Sequence, residues 1–259
     1  MPEGEARGYG DKNFVAMMYA KVVCVQLISM LGYDLLFQDV DVVWYTNPLE
    51  YFQNSKNEFY DFDMYFQDDG ARSTRFGPLS ANSGFYFVRN NKKTRYLFTS
   101  LLYAGDIIIE TDSHQHALVQ LLNEHSSYFG LRVKVLDRDL HGINFPGGWH
   151  YHNKKDLMKK IMKEEVTPYI FHMSWTHNKD NKLKFFQQMG EWYLNDKCMN
   201  KSKQIILKNT DGDDTDSSAS LKNPCCLKEP QIKCHYRDKP SKIPCKKSDP
   251  IDKGRPSFW

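Results

Sequence analysis

The sequence predicts an α/β domain in which helices flank a sheet, followed by an irregular tail. Short apolar runs of strand length alternate with longer stretches of helical periodicity. A chain of 259 residues with 41% hydrophobic and 14% aromatic residues can bury a large core. After residue 196 the pattern dissolves into Lys, Asp, Ser and Pro. We therefore predict a folded domain over residues 1–196 and a largely disordered, cysteine-containing tail over residues 197–259.

The predicted elements follow in chain order. Apolar residues recur with helical spacing over residues 13–31, and Gly32 is placed to end that helix. Asn47-Pro48 is a typical helix start, with Asn as the cap and Pro in the first turn. Strands are predicted at residues 35–37, 62–66, 85–88, 131–136 and 169–171, and further helices at residues 92–104, 113–125 and 183–194.

Two carboxylates one residue apart follow the strand predicted at residues 35–37. They are Asp39 and Asp41, and apolar residues resume directly after them. An unpaired buried carboxylate is costly, so we expect both at the mouth of the sheet, where a cation can compensate them. Ligands of α/β sheets bind outside the carboxyl ends of the strands. The pattern indicates a divalent metal beside a phosphorylated ligand, although the same pattern in isolation is typical of a solvated turn.

The segment GYDLLFQDVDVVWYTNPLEYF resembles the nucleotide-diphospho-sugar transferase family, which includes plant cell-wall xylosyl-, galactosyl- and arabinosyltransferases. The resemblance covers about residues 14–194. It implies a GT-A fold and a retaining, metal-dependent transfer of sugar from a UDP-sugar to a glycan or glycoprotein hydroxyl. It also implies that Asp41 binds the metal most directly, while Asp39 reaches the metal or the ribose of the donor.

The resemblance further implies a third metal ligand and a lysine that grips the diphosphate. His172, directly after a predicted strand, matches the histidine, and His177 stays open as the alternative. Lys179 and Lys182 both fit the lysine. An imidazole beside two carboxylates suits Mn²⁺ better than Mg²⁺. An isolated histidine here would be interpreted as a satisfied core residue.

One further block matches the family near the donor sugar. Asn82 and Gly84 precede a predicted buried strand, where glycine allows a sugar ring to approach the backbone. Outside this match, Asp68 and Asp69 follow a predicted strand and could contact sugar hydroxyls or form an ordinary turn. Arg89 at the end of the next strand could contact the donor or the acceptor, or be a surface charge.

The block before the helix at residues 113–125 departs from the family pattern. The family often has Asp-Gln where this chain has His114 and Gln115, and Asp112 lies two residues earlier. A neutral His114 cannot supply the charge of an aspartate. We name Gln115, His114 and Asp112 as the candidate catalytic group, with helix capping by Asp112 or Ser113 as the structural alternative. No side chain is an obvious nucleophile. The resemblance implies a front-face route, in which the leaving phosphate deprotonates the acceptor hydroxyl on the same face of the sugar.

The resemblance also implies a chain truncated at its N-terminus. The Asp-x-Asp block lies near the start, so the first strands of the sheet, which would hold the nucleotide base, are expected to be missing. A full-length protein is expected in the Golgi lumen with a membrane anchor. Two other functions stay open: a non-catalytic fragment of such an enzyme, and a metal-dependent phosphodiesterase using Asp39, Asp41, His172 and His177.

Composition limits the partners. Residues 197–259 hold 14 Lys and Arg against eight Asp and Glu, so the basic charge is a property of the tail. The body has no basic stripe interleaved with aromatic residues, so nucleic acid is not expected as a partner. No apolar stretch is expected to reach the length of a membrane span.

The six cysteines divide into two groups. Cys24 is expected to be a buried thiol. The other five, all in the tail, indicate disulfides or, with His235, a zinc site.

Overall fold

The computed structural model describes residues 4, 6–57, 60–136, 143–153, 156–176, 178–199 and 225–251. The chain divides into two compact units, residues 1–175 and residues 176–259. The boundary predicted between residues 196 and 197 is a different one, and it remains a prediction. Helices flank a mixed parallel and antiparallel sheet in the first unit, which confirms the predicted α/β class.

The first unit contains all six strands and seven of the helices that the described residues form. In chain order these are α1 (Lys12–Met30), β1 (Leu35–Gln38), β2 (Val42–Trp44), α2 (Leu49–Gln53), β3 (Met64–Asp68), β4 (Ala81–Val88), α3 (Lys92–Tyr103), α4 (Gly105–Glu110), α5 (His114–Phe129), β5 (Val133–Leu136), α6 (Gly148–Asn153), α7 (Leu157–Met162) and β6 (Ile170–His172). Every predicted strand is present. The sequence reasoning missed β2, α4, α6 and α7, which have three to six residues each and are too short for a periodic pattern.

Two sheets organise the first unit. The larger has the strand order β1-β4-β3-β5, with β4 antiparallel to both neighbours and β3 parallel to β5. The smaller pairs β2 with β6 in antiparallel orientation. Every residue of β3 and β4 is buried, because packed side chains cover both faces of the central strands. This explains why these strands appear in the sequence as continuous apolar runs.

The two faces of the central strands bury different side chains. Tyr86 and Val88 of β4 pack with residues of α1, α3 and α5, whereas Phe85 and Phe87 point to the opposite face. There they meet an aromatic cluster in which the Phe52 and Phe87 rings stack with centroids 4.7 Å apart. The helical layer and the aromatic cluster thus fix β4 from both sides, and with it the polar residues at its start.

Helix α1 begins at an Asp11 cap, whose carboxylate accepts a hydrogen bond from the Phe14 amide. It buries Met18, Val22 and Val25, as the spacing predicts. Cys24 is exposed rather than buried, because it lies on the opposite face of the helix.

One helix among the described residues is long and apolar enough to cross a membrane by length and composition, and it is α1. It has 19 residues and a mean hydropathy of 1.5. This corrects the expectation that no stretch reaches such a length. Core helices of soluble proteins meet the same measure, and α1 contributes Val22 and Val25 to the core.

The second unit contains α8 (Lys179–Met189), α9 (Asp196–Met199) and the segment 225–251. Helix α8 starts and ends earlier than predicted, because Asn178 caps its first turn and Gly190 adopts the left-handed conformation that terminates it. Disulfides join Cys198 to Cys225 and Cys234 to Cys245, so the disulfide interpretation of the tail is the one observed. Residues 225–251 are irregular but held by these bonds, and the linker predicted at residues 211–220 lies outside the described residues.

Candidate metal and donor site

Asp39 and Asp41 lie between β1 and β2. The Asp39 amide donates to the Gly84 carbonyl at 2.7 Å, which anchors the turn to β4. Val40 between them is fully exposed, whereas Asp41 is 7% exposed. Val40 and Asp41 form a turn between the two strands, in which the Val40 side chain faces solvent and the Asp41 carboxylate faces inward, towards Asp39.

Strand pairing brings His172 to these carboxylates. Val42 at the start of β2 pairs with His172 at the end of β6. The His172 Nε2 atom lies 3.3 Å from the Asp41 carboxylate, and both side chains are buried. One ligand atom from each of Asp39, Asp41 and His172 lies within 4.8 Å of the other two. An ion with bonds of about 2.1 Å needs neighbouring ligand atoms about 3–4 Å apart, so this donor set fits a small divalent cation after slight contraction.

Gln67 fixes the tautomer of His172. The Gln67 amide nitrogen donates to the carbonyls of Phe145 and Pro146, both at 2.9 Å, so its oxygen must be the atom that faces His172 Nδ1 at 2.7 Å. Nδ1 then carries a proton, so the tautomer of the neutral imidazole is the one whose Nε2 lone pair lies beside Asp41. A hydrogen bond of this kind orients metal-binding histidines in general. The sequence reasoning gave Gln67 no role.

Lys21 is a second residue that the sequence reasoning missed. Its ammonium lies 2.6 Å from the Asp39 carboxylate and 5.0 Å from the centre of the Phe37 ring. It is the one charged residue between Lys12 and Asp34, in an otherwise apolar helical stretch, and that isolation was an available signal. Lys21 compensates part of the charge of the two aspartates.

Gly84 allows the close approach of these groups. A Cβ atom at this position would lie 2.5 Å from His172 Cε1 and 2.8 Å from an Asp39 carboxylate oxygen. Both distances are shorter than van der Waals contact. The need for glycine therefore comes from the cation site as well as from any sugar bound there.

Asn82 leads a polar network next to the cation site. Its amide oxygen accepts from the Gly84 amide, and its amide nitrogen donates to the Asp69 carboxylate, both at 2.7 Å. Gln115 accepts from the amide and hydroxyl of Ser83. Burial raises the pKa of Asp69, and hydrogen bonds from Asn82 and Gln115 oppose that rise. The structure thus brings together Asn82, Gly84, Gln115 and, of the two open aspartates, Asp69.

His114 is buried at the start of α5, next to Gln115. Burial lowers its pKa to about 3, with a smaller contribution from the Lys21 charge, so the imidazole is neutral at ordinary pH. Its Nδ1 atom has no hydrogen-bond partner among the described residues. Ser113 rather than Asp112 caps α5. Asp112 is exposed and lines a different pocket, between α1 and α4.

His114 makes the stability of the fold sensitive to acid. Between about pH 6.5 and pH 3 the unfolded chain protonates this imidazole and the folded chain does not, so stability is lost as the pH falls through this window. The contribution is at most about 1.4 kcal/mol per pH unit. We expect His114→Gln to flatten the curve of unfolding free energy against pH below 6.5, measured by urea denaturation. Parallel curves for the two proteins would contradict this assignment.

Two other candidates, Asp68 and Arg89, have structural partners away from the cation site. Asp68 forms a bidentate ion pair with Arg72, whose two terminal guanidinium nitrogens lie 2.7 and 3.0 Å from the carboxylate oxygens. Arg89 donates to the Phe52 carbonyl and lies over the Tyr60 ring, on the aromatic side of the sheet. These contacts give Asp68 and Arg89 a structural role.

The predicted diphosphate lysines belong to the second unit. Lys179 is exposed and Lys182 half-buried, both in the first turn of α8. His177, the alternative third ligand, lies outside the described residues. The choice among these residues stays a prediction.

A cluster of two carboxylates and a histidine beside a mixed sheet is a candidate site for a divalent cation. The chain belongs to the nucleotide-diphospho-sugar transferase family, whose sequence profile matches residues 2–186.

Curated relatives carry the names of sugar transferases. The chain is 27% identical over 210 residues to UDP-galactose:fucoside alpha-3-galactosyltransferase of Dictyostelium discoideum, covering 74% of this chain and 30% of that protein. It is 27% identical to Beta-arabinofuranosyltransferase RAY1 of Arabidopsis thaliana, over 71% of this chain and 35% of the relative. It is 23% identical to the UDP-D-xylose:L-fucose alpha-1,3-D-xylosyltransferase of the same plant, over 75% of this chain and 54% of that relative. The chain thus spans between about a third and a half of these relatives.

Proposed function

We propose that this chain carries the donor site of a metal-dependent glycosyltransferase. The reaction is transfer of a sugar from a UDP-sugar to a hydroxyl of a glycan or glycoprotein, with retention of configuration. The observation that carries the proposal is the cluster of Asp39, Asp41 and His172, in which Gln67 leaves His172 Nε2 facing Asp41. Family membership supports the nucleotide-sugar donor.

Asp39, Asp41 and His172 would hold the metal, and their mixed oxygen and nitrogen donors favour Mn²⁺ over Mg²⁺. When bound, the ion supplies Lewis-acid neutralisation of the charge that develops on the departing UDP. Lys21 adds a fixed positive charge beside Asp39. Lys179 or Lys182 would grip the diphosphate.

The Asn82 network would hold the sugar. Asn82 and Asp69 offer hydrogen-bonding groups beside Gly84, and Gln115 ties them to the start of α5. His114 presents an unpartnered Nδ1 in the same region. Asn82, Gln115 and the neutral His114 carry no charge, and the Asp69 carboxylate is held by hydrogen bonds from Asn82 and Gln115. We therefore assign none of them as a nucleophile. Same-face attack, with the leaving phosphate oxygen taking the proton of the acceptor hydroxyl, is therefore the proposed route to retention.

Gln67 provides a test of the metal role that does not depend on turnover. We expect Gln67→Leu to weaken Mn²⁺ binding by about 10–100-fold, because His172 loses the partner that orients it. Isothermal titration with Mn²⁺ measures this. Gln120→Leu, a change of the same type at an exposed site on α5, should leave the affinity unchanged. Equal affinities in all three proteins would show that Gln67 does not orient a ligand.

Donor turnover tests the function itself. UDP-galactose and UDP-xylose are the first donors to try, with a fucoside as acceptor, because the names of relatives contain these groups. We expect Mn²⁺-dependent release of UDP and a product with retained anomeric configuration by NMR. Binding of UDP and Mn²⁺ without release from any donor would instead indicate a non-catalytic fragment. An inverted product would contradict the proposed stereochemistry.

We also propose the Golgi lumen as the compartment of the full-length protein. The Cys198–Cys225 and Cys234–Cys245 disulfides support an oxidising compartment. Localisation of a tagged full-length protein to the cytosol would contradict this.

A further inference from the structure

The second unit carries a pocket of about 430 Å³, which we call the basic pocket. Three cationic residues line it together with three others: Arg237, Lys239, Lys246, Ser241, Ile243 and Cys245. Its volume falls within the range of about 300–1,000 Å³ typical of sites for small ligands. Nothing in the proposed donor chemistry uses this pocket.

The loop that forms the basic pocket is fixed in place. The Cys234–Cys245 disulfide closes it. The side chain of Gln188, which is fully buried, forms hydrogen bonds with backbone groups of the loop. Its nitrogen donates to the carbonyls of Tyr236, Lys239 and Pro240, and its oxygen accepts from the amides of His235 and Tyr236. A site held this firmly binds its ligand with little ordering cost.

The loop that forms the basic pocket has an excess of positive charge, which favours an anionic ligand. Residues 225–251 hold seven Lys and Arg against three Asp and Glu. Arg237 and Lys246 are exposed, and neither has an ion-pair partner among the described residues. The Asp238 carboxylate is engaged with the Ile251 amide. Like charges held together in a concave surface focus a positive potential.

Ser241 lines the basic pocket, but its hydroxyl oxygen is shielded from solvent and has no hydrogen-bond partner among the described residues. The chemistry of the pocket therefore rests on its ammonium and guanidinium groups. These groups match a carboxylate or sulfate.

We propose that the basic pocket binds an anionic group, carboxylate or sulfate, on the glycan that the enzyme glycosylates. The glycan part rests on the proposed function, whereas the anion part rests on the pocket alone. Single-stranded nucleic acid would need aromatic rings to stack on, and the described residues that line the pocket include no aromatic residue. A membrane surface would need several apolar anchors, and among the same described residues Ile243, at 37% exposure, is the one large aliphatic residue.

Binding of oligosaccharides to the full chain, without UDP or metal, tests this proposal. The probes are a sulfated oligosaccharide, an oligogalacturonate and a neutral oligosaccharide of equal length, at about 150 mM salt. We expect the wild type to bind one or both anionic probes and not the neutral one. The double variant Arg237→Gln/Lys246→Gln should bind about fivefold or more weakly, with Ser241→Ala less affected.

A matched control removes two charges elsewhere. Lys92→Gln/Lys160→Gln changes two exposed lysines of the first unit and should bind like the wild type. Thermal melts confirm that each variant is folded. Equal weakening in both double variants, or no binding of any anionic oligosaccharide, would overturn the proposal. Single-stranded DNA or anionic vesicles bound as tightly, with the same sensitivity to Arg237 and Lys246, would overturn the glycan class. Because no UDP or metal is present, failure here leaves the donor site to be judged separately.

Discussion

Replacing Asp41 by Asn should abolish productive metal binding while leaving the fold intact. Asp41 is 7% exposed and lies 3.3 Å from His172 Nε2, so it is the carboxylate most enclosed by the site. Asn keeps the shape of the side chain but removes its charge. We expect Mn²⁺ affinity to fall by about 100-fold or more, since removal of a ligand exceeds the effect of removing its supporting hydrogen bond. Titration calorimetry or the Mn²⁺ spin-resonance signal measures the change.

The control for Asp41 is an aspartate without a role in the site. Asp61 is exposed in the loop before β3, so Asp61→Asn removes one charge of the same type. It should bind Mn²⁺ like the wild type. Unchanged affinity in the Asp41 variant, with both proteins folded, would place the metal elsewhere.

Gly84→Ala adds a single methyl group, which should be enough to distort the site. The added Cβ would lie 2.5 Å from His172 Cε1, and Gln67 holds that ring in place. We expect a loss of about 1–3 kcal/mol in the free energy of unfolding, because overpacking forces the neighbouring groups to move. Mn²⁺ affinity should fall as well, by about tenfold or more, since His172 and Asp39 are the groups displaced.

Gly8→Ala provides the matched comparison. A Cβ at Gly8 meets no atom within 4 Å, so the same substitution adds the same methyl group in open space. Its unfolding free energy and Mn²⁺ affinity should equal those of the wild type. If Gly84→Ala behaves like Gly8→Ala, the close contact of β4 with the aspartates is not a feature of the working site.

Local patterns were enough to predict five of the six strands that the described residues form, and the two aspartates. An apolar strand that ends in charge is conspicuous, and Asp39 and Asp41 stand out for this reason. His172 was identified because it follows an apolar strand and matches the family. The pairing of β2 with β6, which was not predicted, is what brings Asp41 and His172 together.

The supporting residues were not predictable from local patterns. Gln67 lies 105 positions from His172 in the chain, and only the parallel and antiparallel pairings of β3 bring it there. Lys21 acts across a gap of 18 residues, from a helix whose apolar spacing suggested packing alone. The exposure of Cys24 was missed because a helical pattern does not show which neighbours cover its second face. Long-range pairing, rather than propensity, decides each of these cases.

Thermal melting of the whole chain with UDP, Mn²⁺ or both is the most direct test of the donor site. Asp39, Asp41 and His172 are proposed to bind the metal that holds the diphosphate, so the two ligands should stabilise together. At about a hundred times the dissociation constant a ligand adds roughly 2.7 kcal/mol to the stability of the native state. We predict a rise in melting temperature that needs both UDP and Mn²⁺ and disappears with EDTA. A cooperative melt that neither ligand shifts, or a shift by UDP that EDTA does not remove, would contradict a metal-dependent donor site.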